Sequence, residues 1–218
     1  MHKETVRARI EEIGIVPAIR LSSAEDALFA VEALAESGIP IAEVTMTTPG
    51  AIEVIHKAAH KNAKFIMGAG TVVDVETAQR CLDAGAKFLT SPGLDPELVA
   101  FAVKQDVVVF PGALTPSEIM MAWKAGSDFV KVFPCSLLGG ANYIKALKSP
   151  FPTTRLIAAG GVNQQTVADF ILAGAAAVGI GRDLLSVEAV RGRQLQWIRE
   201  LSRRFLQVIQ EARNNRRA

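Results

Sequence analysis

A short apolar run, a turn and an amphipathic stretch recur in that order along nearly the whole chain, and few architectures can absorb such a rhythm. The apolar runs are Ile15 to Ile19, Ile41 to Thr45, Lys64 to Met67, Phe88 to Thr90, Val107 to Phe110, Phe129 to Phe133, Arg155 to Ala158 and Ala177 to Ile180. Rich in aromatic and β-branched residues and bounded by turn formers, they read as eight strands. Between them, Ser22-Ser23-Ala24-Glu25 and Thr115-Pro116-Ser117-Glu118 have the form of capping boxes, the second with proline at the first helical position. Gly38, Gly85, Gly126 and Gly174 end helical stretches at separations of 47 (38 to 85), 41 (85 to 126) and 48 (126 to 174) residues. Each interval holds two strand-plus-helix units. Eight such units predict one closed parallel (β/α)₈ barrel over residues 1–218. An open doubly wound sheet has fewer strands and, in its dinucleotide-binding form, a glycine-rich first turn; here the first strand leads into Arg20-Leu21-Ser22-Ser23 instead. An N-terminal helix precedes the first strand, a long final helix is predicted over Arg191 to Arg213, and Asn214 to Ala218 reads as a frayed tail.

A chain of 218 residues, half of them hydrophobic and with mean hydropathy +0.25, can build one large core. Its net charge of +2 argues against nucleic acid or an anionic membrane surface as partner. The opening residues lack the apolar core of a signal peptide, and no apolar run approaches the roughly 20 residues of a membrane span, so a cytoplasmic protein is expected. Two cysteines, Cys81 and Cys135, form no disulfide framework. His56 and His60 share a helix face without the glutamate of a zinc-protease helix, so a solvated surface is the reading and no metal is expected.

Against this apolar background one residue is out of place. Lys131 lies inside Phe129-Val130-Lys131-Val132-Phe133-Pro134, and an ammonium withdrawn from water costs several kcal/mol unless it is paired or held neutral. A desolvated neutral amine can attack a ketone and form a Schiff base, an electron sink that needs no cofactor. Alternation along the second strand turns Glu43 and Thr45 to one face and Ala42 and Val44 to the other; Ala42 and Val44 suit the helix layer, so Glu43 points into the barrel. The same alternation groups Lys131 with Phe129 and Phe133. Glu43 and Lys131 therefore form either a catalytic couple or a structural ion pair.

In barrels of this kind the chemistry gathers at the C-terminal ends of the strands. Gly68-Ala69-Gly70-Thr71 follows the third predicted strand, and Thr90-Ser91-Pro92-Gly93 closes the fourth. The seventh leads into Ala159-Gly160-Gly161-Val162 and the eighth into Gly179-Ile180-Gly181-Arg182; glycine-rich turns at these places suit either phosphate, through free backbone N–H groups, or tight packing of short connections, and the fixed charge of Arg182 favours phosphate. Cys135 follows Pro134 with no histidine nearby in sequence and reads as a packing residue.

Glu43-Val44-Thr45, Gly68 to Val72, Ser91-Pro92-Gly93, Phe110-Pro111-Gly112, Lys131-Val132-Phe133-Pro134 and Gly160-Gly161 occur in an order and spacing that resemble the 2-keto-3-deoxy-6-phosphogluconate (KDPG) and 4-hydroxy-2-oxoglutarate aldolases, from about Ile13 to Leu185. The resemblance implies a class I aldolase, commonly a homotrimer without cofactor, that releases pyruvate from a phosphorylated sugar acid. It implies that Lys131 forms the Schiff base, Glu43 shuttles protons, Thr71 helps hold the pyruvate carboxylate, and Gly160 and Gly161 hold phosphate. With Arg20, Thr47, Pro92, Phe133, Gly181 and Arg182 these complete the candidate site. Two departures stand out. Thr47 occupies the place of an arginine that clamps the carboxylate in many members, leaving Arg20 at the end of the first strand to supply a guanidinium; Arg182 stands where a serine commonly meets phosphate. Phosphogalactonate aldolases are the neighbouring alternative. A non-catalytic barrel that binds a sugar-acid phosphate, and a phosphosugar isomerase with Glu43 as base, are the rivals from other classes.

Overall fold

A computed structural model of the chain describes residues 1–217. Its strands are β1 (Ile15–Ile19), β2 (Ile41–Thr45), β3 (Ile66–Gly70), β4 (Phe88–Thr90), β5 (Val108–Phe110), β6 (Gly112–Ala113), β7 (Val130–Val132), β8 (Leu156–Ala159) and β9 (Ala177–Ile180). Around them lie α1 (Lys3–Ile13), α2 (Ala24–Glu36), α3 (Ala51–Lys61), α4 (Val75–Asp83), α5 (Pro96–Lys104), α6 (Pro116–Lys124), α7 (Ala141–Lys148), α8 (Val167–Leu172), α9 (Val187–Arg191) and α10 (Leu195–Arg217). Every ladder is parallel, in the order β5-β4-β3-β2-β1-β9-β8-β7-β6.

The nine strands fill eight positions of an α/β barrel, because β5 and β6 are one trace broken at Pro111. Proline has no N–H to give, so the ladder cannot run through it unbroken. The partner strand bridges the break: the N–H of Asp128 donates to the Val109 carbonyl (3.0 Å) and that of Lys131 to the Pro111 carbonyl (2.9 Å). Strands covered by helices on the outside and by one another inside are apolar at nearly every position, as a parallel sheet requires. Phe88, Phe110 and Phe129 fill the barrel interior, with ring centroids 5.3 Å (Phe88 to Phe110) and 5.9 Å (Phe110 to Phe129) apart.

Three sequence expectations shift. The third strand starts at Ile66 and runs to Gly70, so Gly68-Ala69-Gly70 lies in the sheet and not in the turn after it. Glycine here makes room inside the barrel: a Cβ on Gly68 would lie 2.2 Å from the Phe88 ring, and one on Gly70 2.7 Å from Glu43 Oε1. At α2 the cap is Ser23, whose hydroxyl accepts from the Asp26 N–H, one residue later than the predicted box; the Thr115–Glu118 box at α6 forms as read. The final helix divides into α9 and α10, and α10 is helical through Arg217, so 214–217 are not a frayed tail; Ala218 lies outside the described residues. Arg193 on the connection between them pairs with Glu25 (2.5 Å) and Asp26 (2.8 Å) of α2, and Arg199 with Glu36, so part of the arginine face ties the last helix to α2. Among the described residues no helix is long and apolar enough to cross a membrane.

Candidate active site

Glu43 sits on the second barrel position and Lys131 on the sixth, four apart in a ring of eight, so the two side chains meet across the interior. Small residues flank Glu43 on both sides, and Lys131 has a glycine on one side and Ile157 of β8 on the other. Glu43 is in register with Ala18 of β1 and Gly68 of β3, and Lys131 with Gly112 of β6. Lys131 Nζ lies 3.5 Å from Glu43 Oε1, an ion-pair contact longer than a good hydrogen bond. The carboxylate is buried, with 4% of its side chain exposed against 14% for the lysine. Its other oxygen, Oε2, accepts a 2.8 Å hydrogen bond from the hydroxyl of Thr90, itself fully buried at the end of β4. The glutamate is thus fixed at one oxygen by a neutral donor while the other faces the amine. The Phe133 ring stands 5.7 Å from Lys131 Nζ and walls the amine on one side.

Above the pair, at the C-terminal ends of the strands, opens a cavity of about 310 Å³. Its wall includes Arg20, Glu43, Lys131, Phe133, Gly160, Gly161, Gly181 and Arg182, so eight of the eleven residues singled out in the sequence meet there. Thr71 lies just behind the wall at positive φ (57°), and its hydroxyl accepts from Arg20 Nη2 at 3.3 Å. Thr47 and Pro92 do not reach the cavity wall. Thr47 is exposed with its hydroxyl 2.9 Å from that of Thr45, and the Pro92 carbonyl packs so close to Gly112 that a Cβ there would approach to 2.1 Å. Two polar residues on the site escaped the sequence reading: Thr90, which only the even-position layer of the barrel connects to Glu43, and Asp183, on the wall beside Arg182.

The turn after β8 has both a packing and a binding aspect. Gly160 and Gly161 adopt φ of 85° and 82°, which favours glycine, and a Cβ on Gly161 would come within 2.3 Å of Ser136. Close packing against the 3₁₀ turn Cys135–Leu138 therefore accounts for part of their presence. Thr166 donates to the Gly161 carbonyl at 2.8 Å, whereas the Gly161 N–H has no acceptor among the described residues. Arg182 is exposed and, among the described residues, carries no ion pair. Burial pushes the Cys135 thiol up to about 11 and its hydrogen reaches the Gly140 carbonyl (3.4 Å), which suits a packing group and not a thiolate nucleophile. His56 and His60 stack at 4.2 Å on α3, off the cavity wall.

Fold and cavity define an α/β barrel whose mouth holds a half-buried lysine paired with a buried carboxylate, beside arginines and glycine turns. The sequence model of the aldolase family described as KDPG and KHG aldolase matches residues 6–201, and the chain belongs to that family, whose members are lyases. The 2-dehydro-3-deoxy-phosphogluconate aldolase of Treponema pallidum is 32% identical over 205 residues, covering 94% of this chain and 98% of that one. Among solved structures, the Legionella pneumophila KDPG aldolase with pyruvate captured as a covalent carbinolamine superposes with TM-score 0.84 at 31% identity, covering 90% of this chain and 95% of that one. A native KDPGal structure superposes with TM-score 0.83 at 29% identity, covering 91% and 95% respectively.

Proposed function

We propose that this protein is a class I aldolase that cleaves 2-keto-3-deoxy-6-phosphogluconate to pyruvate and glyceraldehyde 3-phosphate, and 4-hydroxy-2-oxoglutarate to pyruvate and glyoxylate as a second reaction. The observation that carries the reading is the Lys131–Glu43 contact of 3.5 Å at the floor of the cavity, with Thr90 holding the glutamate. Pyruvate bound covalently in the Legionella relative, as a carbinolamine, supports it.

Lys131 gives a proton to Glu43 and its amine adds to the C2 ketone; Glu43 returns the proton to the departing hydroxyl, and water leaves from the carbinolamine to give the iminium. Glu43 then takes the proton of the C4 hydroxyl. The C3–C4 bond breaks, its electrons pass to the iminium nitrogen, and the aldehyde departs. Protonation of the enamine at C3 and hydrolysis of the new iminium release pyruvate and restore the amine. Arg20 and Thr71 bind the substrate carboxylate on one side of Lys131. On the other, Gly160, Gly161, Gly181 and Arg182 take the phosphate, through free N–H groups and a guanidinium. Phe133 shields the iminium. No step runs through Thr47 or Pro92. Assembly as a homotrimer in the cytoplasm completes the proposal; two buried free thiols and the exposed apolar side chains of Met121 and Leu137 accord with it.

The test supplies KDPG and reads pyruvate through lactate dehydrogenase and NADH, with the phosphogalactonate epimer and 4-hydroxy-2-oxoglutarate assayed in parallel. The expected result is turnover with KDPG fastest. A protein that KDPG stabilises against heat without pyruvate release is a binding module, and one that returns an isomeric sugar phosphate is an isomerase.

A further inference from the structure

We infer that Thr48 is a positioning residue for Arg20: one buried hydroxyl grips both peptide groups that flank Arg20 and so fixes where its guanidinium meets the substrate. This deepens the reading in which Arg20 binds the carboxylate, and rests on it. Thr48 is 2% exposed although it belongs to the connection between β2 and α3. Its Oγ1 donates to the Ile19 carbonyl at 3.3 Å and accepts from the Leu21 N–H, also at 3.3 Å. The Ile19 carbonyl belongs to the peptide preceding the Cα of Arg20, and the Leu21 N–H to the peptide following it. A hydroxyl has one hydrogen to give and lone pairs to receive, and Thr48 can use both functions on the peptides around Arg20, with Thr45 Oγ1 a further 3.4 Å neighbour.

The local turn does not need this hydroxyl. Its backbone bonds are made elsewhere, from the Thr48 N–H to the Thr45 carbonyl (2.9 Å) and from the Ala51 N–H to the Thr48 carbonyl (3.1 Å). The side chain instead reaches across to the end of β1. Thr45 reinforces it, donating to the same Ile19 carbonyl at 3.2 Å, with the Thr47 hydroxyl 2.9 Å from Thr45 Oγ1. Arg20 itself is exposed at the mouth; among the described residues its guanidinium makes a hydrogen bond to the Thr71 hydroxyl (3.3 Å) and has no carboxylate partner. A long exposed side chain held by one hydrogen bond depends on its backbone for aim, and a displacement of about 1 Å at such a group is enough to weaken binding strongly.

The condensation of pyruvate with glyceraldehyde 3-phosphate separates the possibilities, using Thr48→Val, Thr48→Ser, Arg20→Ala and the Thr48→Val/Arg20→Ala double variant. Arg20→Ala is expected to raise the KM for pyruvate about tenfold or more, the loss of a charge-assisted pair. Thr48→Val is expected to raise the same KM by about fivefold to tenfold with kcat changed less than about twofold, Thr48→Ser to stay near wild type, and the double variant to match Arg20→Ala alone. Should Thr48→Val not fold, Thr48→Cys, which keeps the volume and weakens both bonds, is expected to show the same selective rise in KM. A wild-type KM in Thr48→Val beside a raised one in Arg20→Ala overturns the positioning role alone. A Thr48→Val effect that persists undiminished without Arg20 overturns it too. An unchanged KM in Arg20→Ala removes the carboxylate reading and the positioning role together, and is visible in that single variant.

Discussion

The trace through β7 carries two charges, the buried Asp128 toward its foot and the half-buried Lys131 toward its mouth, and the two are served very differently. At the foot of the barrel Asp128, 4% exposed, receives the Val109 N–H at 3.1 Å, Lys3 Nζ at 3.1 Å and Arg7 Nη1 at 3.8 Å. Both cations come from α1, which packs against β1, β5 and β9 and covers that end. At the mouth Lys131 has, among the described residues, one ionic partner, at 3.5 Å, and an open cavity beside it. Burying an ion is costly unless hydrogen bonds and counter-charges replace water. At the foot the protein supplies the replacements, and the result is a latch for the N-terminal helix. At the mouth it supplies part of them, and the remaining capacity of the amine, of Arg20 and of Arg182 is directed at the cavity. On the proposed function, the number of partners separates a structural charge from a chemical one better than burial does.

The contrast can be broken at either end. The largest effect belongs to Lys131→Ala, expected to reduce kcat by about 10⁴-fold or more while thermal stability stays within a few degrees of the parent. Glu43→Gln keeps the shape and the Thr90 contact but cannot shuttle protons, so kcat should fall by about 10²–10⁴-fold, measured by pyruvate release. At the foot, Asp128→Ala strands two cations and the Val109 N–H; we expect a loss of about 3–5 kcal/mol in denaturant unfolding with kcat unchanged in the folded fraction. Thr90→Val, which frees one oxygen of Glu43, is expected to cost about tenfold in kcat with little change in KM. A Lys131→Ala protein that lost stability as Asp128→Ala does would erase the distinction.

Most of this arrangement was legible in the chain, and the parts that were not share a cause. Periodicity found the strands, and alternation within β2 and the β7 segment put Glu43 and Lys131 inside, because side-chain direction is a local property. Gly68 and Gly70 were misread as a turn because a glycine inside a strand looks like one; only the opposed Phe88 ring and Glu43 carboxylate explain them. Pro111 broke a strand that closes the barrel nonetheless, since the hydrogen bonds come from the neighbouring strand. Thr90 was visible as a turn residue and not as a site residue, for its role depends on a layer shared by alternate strands. The latch of Asp128 with Lys3 and Arg7 joins residues more than a hundred positions apart, beyond the reach of any local pattern. Thr47 stands at a position where many family members carry an arginine, yet its hydroxyl meets that of Thr45 and the residue is not on the cavity wall.

The most direct test of the central claim is incubation with pyruvate and borohydride followed by peptide mass mapping. Reduction of the iminium should leave a stable secondary amine on Lys131 and on no other lysine, and the adduct should vanish in Lys131→Ala. Pyruvate that binds, shown by calorimetry, and leaves no adduct on Lys131 would make that residue a counter-ion and contradict the account.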